Sequence, residues 1–199
     1  MNLIKTFIIT VALSGLVAVA VVYLVPMEKL FPRPVVSIAT EGFPVKGNPD
    51  APVTIVEFGN YLCGHCKEAV GIIDDVMQRF EGKVKVVYMD LPFSEISRAI
   101  AQGGACANKQ GKFWAWHDLA FRNQESLNKE SPETLAWEIG LDENVFAACL
   151  ASGEGEARVK KSEQEADRLG LDRAPSTFVN GRETYYLELE QAVAAALLE

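Results

Sequence analysis

The chain holds only two histidines and four cysteines among 199 residues, which leaves little material for a multi-ligand metal centre. Basic residues are also short: 19 Lys and Arg against 27 Asp and Glu give a net charge of −8. An acidic chain with no basic run and no interleaved aromatic patch argues against a phosphate-backbone binder, so no nucleic-acid partner is expected. There is no G-x-G-x-x-G and no G-x-x-x-x-G-K-[ST], so neither a dinucleotide loop nor a P-loop is present. Internal repeats and low-complexity blocks are absent. What remains is globular composition, 49% hydrophobic and 23% charged, which rules out a wholly disordered chain.

The first 25 residues stand apart. From Phe7 to Val25 no residue is charged, and only Thr10, Ser14 and Gly15 interrupt the apolar run. A helix of that length reaches roughly 28 Å, close to the hydrocarbon thickness of about 30 Å. Ala18-Val19-Ala20 fits a signal-peptidase pattern, but the apolar run continues past it through Val25. Cleavage sites normally lie outside the apolar region, so the expectation is an uncleaved inner-membrane anchor, with a soluble periplasmic form after cleavage as the alternative. Either reading exports the chain. Pro26, Pro32 and Pro34 mark residues 26–40 as a linker, and the exported domain is expected over 41–199.

Within that domain, Val53-Thr54-Ile55-Val56-Glu57-Phe58 is a near-continuous β-branched run that reads as a buried strand. Apolar positions from Cys63 to Phe80 then recur at helical spacing, and Val84 to Met89 reads as a second strand. Strand, helix, strand in so short a span implies a parallel βαβ unit. Residues of about 94–170 show helical patterns only. Ser131-Pro132 and Asp142 are expected helix starts, and Gly170 an expected helix end. Strand character returns at Ser176 to Val179, with Asn180-Gly181 as a turn, Glu183 to Leu187 as the partner strand and Leu189 to Leu198 as a terminal helix. The expected architecture is α/β, a mixed sheet with a helical block inserted in its middle.

The chemistry is concentrated at Cys63-Gly64-His65-Cys66. The pair sits where a strand passes into a helix, so free backbone N–H groups and the helix dipole favour negative charge on Cys63. His65 adds positive charge beside it, Gly64 leaves the backbone uncrowded, and Cys66, one turn on, is expected to be the resolving thiol. A lone C-x-x-C is also half of a zinc site, but Cys106, Cys149 and His117 are far downstream and offer no second C-x-x-C. The strand–helix context therefore favours a redox pair. Glu57 lies six residues before Cys63 in an apolar strand. Burying it is costly unless it has a role, such as moving a proton to or from Cys66; the alternative is a side chain turned to solvent at a strand end. Cys106 and Cys149 fall in different helices, either as buried free thiols or, as favoured in an oxidising compartment, as a structural disulfide. Ala174-Pro175 precedes a strand directly, where a proline is allowed and a cis bond would mark a tight turn. His117, among Phe113, Trp114, Trp116 and Phe121, reads as a packed helix residue.

Three stretches carry a resemblance. Ala51 to Cys66, Gln110 to Asp118 and Ala174 to Gly181 are similar, in this order, to segments of the DsbA-like thiol:disulfide oxidoreductases. The resemblance implies a thioredoxin fold with an inserted helical subdomain over residues 41–199. It implies Cys63 as the nucleophile, Cys66 as its partner, Pro175 as the cis-proline of a substrate groove, Glu57 at a buried acidic position, and Cys106 with Cys149 as a second pair found in some members. Ala174 departs from the usual Val or Thr, and Gly64-His65 is the dipeptide of protein disulfide isomerases rather than the Pro-His of the best-known DsbA proteins. The expected activity is a dithiol oxidase acting on exported proteins and recycled by a membrane redox partner, with the Cys63–Cys66 disulfide as its only redox group and no separate cofactor. The alternatives are a reductase or isomerase, or a non-catalytic module that binds metal or peptide through its thiols.

Overall fold

The computed structural model describes residues 33–199 together with residues 3, 7, 9–11 and 13, which are helical. The expected anchor over 7–25 and the Ala18-Val19-Ala20 site therefore lie largely or wholly outside the described residues. Among the described residues no helix is long and apolar enough to cross a membrane.

Five strands form one mixed sheet in the order β1-β3-β2-β4-β5. They are β1 (Val45–Gly47), β2 (Val53–Gly59), β3 (Val84–Asp90), β4 (Ser176–Val179) and β5 (Arg182–Thr184). β2 and β3 run parallel, with Val53 opposite Val84 and Gly59 opposite Asp90; β4 lies antiparallel on the other side of β2. The helix α1 (Gly64–Arg79) makes the crossover, burying Cys66, Ala69, Ile73 and Val76 along one stripe. Strand alternation divides the core. Val53, Ile55, Val84 and Val86 pack with α1 and the terminal helix α7 (Leu189–Ala196), while Val56, Phe58, Val87 and Met89 pack on the opposite face with Phe43 and Phe178.

Five helices fill the connection from β3 to β4: α2 (Glu95–Lys109), α3 (Phe113–Arg122), α4 (Ser131–Glu138), α5 (Glu143–Ser152) and α6 (Glu154–Leu169). Ser94 caps α2 reciprocally with Ser97, and Asp142 caps α5 by accepting from the N–H groups of Asn144 and Val145. The block is tight because two glycines allow close approach. A Cβ at Gly103 would fall 2.3 Å from the Trp116 ring, and one at Gly155 would fall 2.8 Å from the Gln102 carbonyl. Cys106 on α2 and Cys149 on α5 are joined by a disulfide, so of the two states expected for these thiols the bridged one is present.

Several elements differ from the sequence expectation. Ser131 is not the cap of α4 but its first residue; its hydroxyl turns back to accept the Asn128 N–H and seals the preceding turn. The partner strand after Asn180-Gly181 ends at Thr184 rather than Leu187. A 3-10 turn over Tyr186–Glu188 replaces the rest, because Tyr186 and Leu189 are drawn into the core and Tyr186 donates to Glu68. β1 was not expected: it is three residues long, sits on the sheet edge and pairs antiparallel with β3. Residues 35–41, expected mostly within the linker, are strapped to the domain. Val36 donates to the Gly181 carbonyl, Ala39 donates to Glu165, and Lys161 donates to the Glu41 carbonyl.

Candidate active site

β2 ends at Gly59, and Asn60 turns the chain into α1. The Asn60 side-chain oxygen accepts the Leu62 N–H at 2.9 Å, and the Asn60 carbonyl accepts the Cys63 N–H at 3.0 Å. Cys63 is thereby the N-cap of α1, with extended backbone and no side-chain hydrogen bond to the first turn. Its sulfur sits where the helix presents its positive end. Both Cys63 and Cys66 are free, but their settings differ: Cys63 is half-buried and Cys66 is fully buried. Cys66 Sγ accepts the Asn60 N–H at 3.4 Å. Burial pushes the Cys66 thiol up strongly, the charge of Glu57 adds to this, and the Asn60 N–H opposes it.

The Ala174–Pro175 peptide is cis, and the Cys63 thiol donates to the Ala174 carbonyl at 3.2 Å. The sheet order explains the meeting. β4 lies beside β2, with Ser176 opposite Phe58, so the segment entering β4 reaches the end of the sheet from which Cys63 emerges. Gly64 and His65 are exposed; a Cβ at Gly64 would touch nothing within 4 Å, and the His65 ring lies 6.3 Å from that of Tyr186.

Glu57 does not turn to solvent. It is 1% exposed, opposite Tyr88 in β3, and its Oε1 has no hydrogen-bond partner. Burial raises its carboxyl to about 8. Cys106 and Cys149 stand apart from this centre, in the helical block. His117 is buried in an aromatic cage, with ring centroids 4.8 Å from Tyr88, 4.9 Å from Phe121 and 5.1 Å from Trp114, and its Nδ1 lies 2.9 Å from Asp118. Burial lowers its proton affinity, as suits a packed imidazole.

Two features escaped the sequence reading. Gln124, in a 3-10 turn after α3, donates to the carbonyls of Tyr61 and Cys63 at 2.8 and 2.9 Å and clamps the loop that carries the thiol. Nothing in the sequence marks it. Asp90 closes β3 as a second carboxylate in an apolar strand, 1% exposed and 3.2 Å from Arg158. Like Glu57, Asp90 is a carboxylate at the end of an apolar run, and burying it is costly without a partner.

The thioredoxin family profile matches residues 39–196. A Na(+)/H(+) antiporter NhaA from Herminiimonas arsenicoxydans is 33% identical over 138 residues; the match covers 69% of this chain, which spans only 22% of that protein. A thioredoxin-like oxidoreductase from Silicibacter pomeroyi superposes with a TM-score of 0.71 at 27% identity, covering 80% of this chain and 94% of the other. The thiol-disulfide exchange protein alpha-DsbA2 from Wolbachia pipientis superposes with a TM-score of 0.70 at 23% identity, covering 78% and 87%. A family profile spanning most of the domain, on a sheet that opens α1 with a C-x-x-C pair, means that the chain belongs to the thioredoxin family and has the fold of its DsbA-like thiol-disulfide oxidoreductases.

Proposed function

We propose that the protein is an extracytoplasmic dithiol oxidase that introduces disulfides into exported proteins through Cys63 and Cys66. The observation that carries this reading is the asymmetry of the pair: a half-buried sulfur on a helix N-cap, joined in sequence to a sulfur sealed from solvent. In the oxidised enzyme a substrate thiolate attacks Cys63 Sγ. The Cys63–Cys66 bond breaks, its electron pair goes to Cys66, and Glu57 supplies the proton that the buried sulfur takes up. A second substrate thiolate then attacks the substrate sulfur of the mixed disulfide and releases Cys63. The substrate loses two electrons and the enzyme gains them.

The Ala174 carbonyl, next to Pro175 and within reach of Cys63, offers an acceptor for the backbone of a bound peptide. His65, exposed beside the pair, faces the incoming thiolate. Electrons pass through thiols alone in this reading, with no further cofactor. The apolar segment over residues 7–25 holds the domain at the inner membrane, where a membrane redox partner reoxidises the dithiol.

The reduction potential of the Cys63–Cys66 pair, equilibrated against glutathione, tests the direction. A value near about −120 mV supports net oxidation. A value at or below about −230 mV sinks the oxidase reading and assigns the same site to a reductase.

A further inference from the structure

We propose that Asp90, paired with Arg158, is the outer end of a buried, water-bridged proton path that starts at Glu57 and serves Cys66. This rests on the thiol-exchange reading above and deepens it. In the parallel pair β2–β3, Glu57 lies opposite Tyr88 and Gly59 opposite Asp90. Residues two apart on a strand share a face, so Glu57, Gly59, Tyr88 and Asp90 all point to one side of the sheet. The two carboxyl-bearing positions are roughly 8 Å apart, one strand spacing across and two residues along.

Tyr88 lies between them. A Cβ at Gly59 would fall 2.6 Å from the Tyr88 hydroxyl, so the hydroxyl stands over Gly59 itself, in space that any side chain there would fill. Tyr61 packs against Tyr88 with ring centroids 5.7 Å apart, and both rings share a core cluster with Cys66. Four buried atoms of these residues have no hydrogen-bond partner: Glu57 Oε1, Tyr61 OH, Tyr88 OH and Asp90 Oδ1. So do Nε and Nη1 of Arg158, whose guanidinium lies 5.0 Å over the Phe113 ring. Buried polar groups in native proteins are paired, and where no protein group reaches them structural water does so. Arg158 is the member closest to solvent, its side chain 12% exposed against 1% for Asp90.

The groups facing one another are few. Glu57 faces Cys66, Tyr61 and Tyr88; Asp90 faces Arg158 from α6 and the same two phenols; His117 and Asp118 of α3 complete the set. Burial raises Asp90 to about 6, with Arg158 opposing, below the value of about 8 at Glu57. When the active-site disulfide is reduced, Cys66 takes its proton from Glu57. The Glu57 carboxylate is reprotonated from Asp90 through the Tyr88 hydroxyl and bridging water, and Asp90 regains a proton from solvent beside Arg158. Reoxidation runs the path in reverse. Asp90 touches no substrate and is a positioning residue acting through Glu57.

The test is the pH dependence of exchange with glutathione for the full chain, Asp90→Asn and Arg158→Gln, with iodoacetamide alkylation of Cys63 as control. The native profile should bend near pH 6 and again near pH 8. Asp90→Asn should lose the lower bend and slow exchange roughly tenfold, with alkylation unchanged. Arg158→Gln should move the lower bend to higher pH, a shift that a purely structural role would not produce; it serves alone if Asp90→Asn fails to fold. Exchange with unaltered bends in the variants overturns the path and leaves the thiol-exchange reading standing. A native chain that does not exchange with glutathione at all overturns both.

Discussion

The chain holds two cysteine pairs, and the fold treats them oppositely. Cys106 and Cys149 are bonded to each other inside the helical block, both sulfurs buried among Trp116, Phe146 and Leu135. Cys63 and Cys66 are free, one at the surface on a helix N-cap and one sealed beneath it among unpartnered polar atoms. The first pair joins two helices across 43 residues and restricts the unfolded chain. The second closes only one helical turn, where the entropic gain from a crosslink is small. What distinguishes it is a half-buried sulfur on one side and, on the other, a sealed sulfur within the field of the buried Glu57 carboxyl. On the proposed reading the same side chain is a staple or a reagent according to where the helix ends lie.

The sharpest way to break the comparison is to remove one sulfur from each pair. Cys63→Ser should lower exchange with a thiol peptide by at least about a thousandfold, with little change in melting temperature. Replacing both Cys106 and Cys149 by Ala should do the reverse. Exchange should persist while unfolding in urea shows a loss of about 4 kcal/mol, the loop-entropy value for a crosslink of this span. If the second variant lost exchange while still folded, the division of labour between the pairs would be wrong.

Glu57 gives a pH-dependent test. Its carboxyl binds protons more tightly in the fold than in the unfolded chain, with about 8 against an ordinary 4.5. Its stabilising contribution is therefore complete below about pH 4.5 and lost as pH rises towards 8. Glu57→Gln should gain on the native chain by on the order of 3 kcal/mol between pH 4 and pH 7, read from urea midpoints at the two pH values. The same variant should slow exchange, because the buried Cys66 loses its proton partner. Asp90 adds a smaller slope of the same sign.

The smallest expected effect is at Gln124. Gln124→Ala removes two hydrogen bonds to the loop that carries Cys63, at a cost of about 1–2 kcal/mol. It should raise the rate of amide hydrogen exchange at Leu62 and Cys63 more than elsewhere. Uniform protection across the domain would show that the clamp is not local.

The central elements were legible because their signals are local. β2, α1, β3 and α6 are long enough for periodicity to show, and the candidate cysteine pair stands out by where the C-x-x-C falls between strand and helix. Glu57 was legible for the same reason, a charge among β-branched residues. β1 was not, since three residues on a sheet edge carry no period of their own. The end of β5 was missed because tertiary burial of Tyr186 overrides its strand propensity. Gln124 reaches the site across 61 residues, and no spacing rule links it to Cys63. The Cys63–Ala174 contact spans 111 residues, yet both ends were singled out. Each had a local oddity, a cysteine at a helix start and a proline at a strand start.

The most direct measurement is covalent trapping. The Cys66→Ser variant, incubated with a disulfide-bearing peptide and mapped by mass spectrometry, should accumulate a mixed disulfide on Cys63 and on no other residue. Absence of any adduct, or an adduct that persists when Cys63 is also replaced, would contradict the assignment of Cys63 as the sulfur that forms the mixed disulfide.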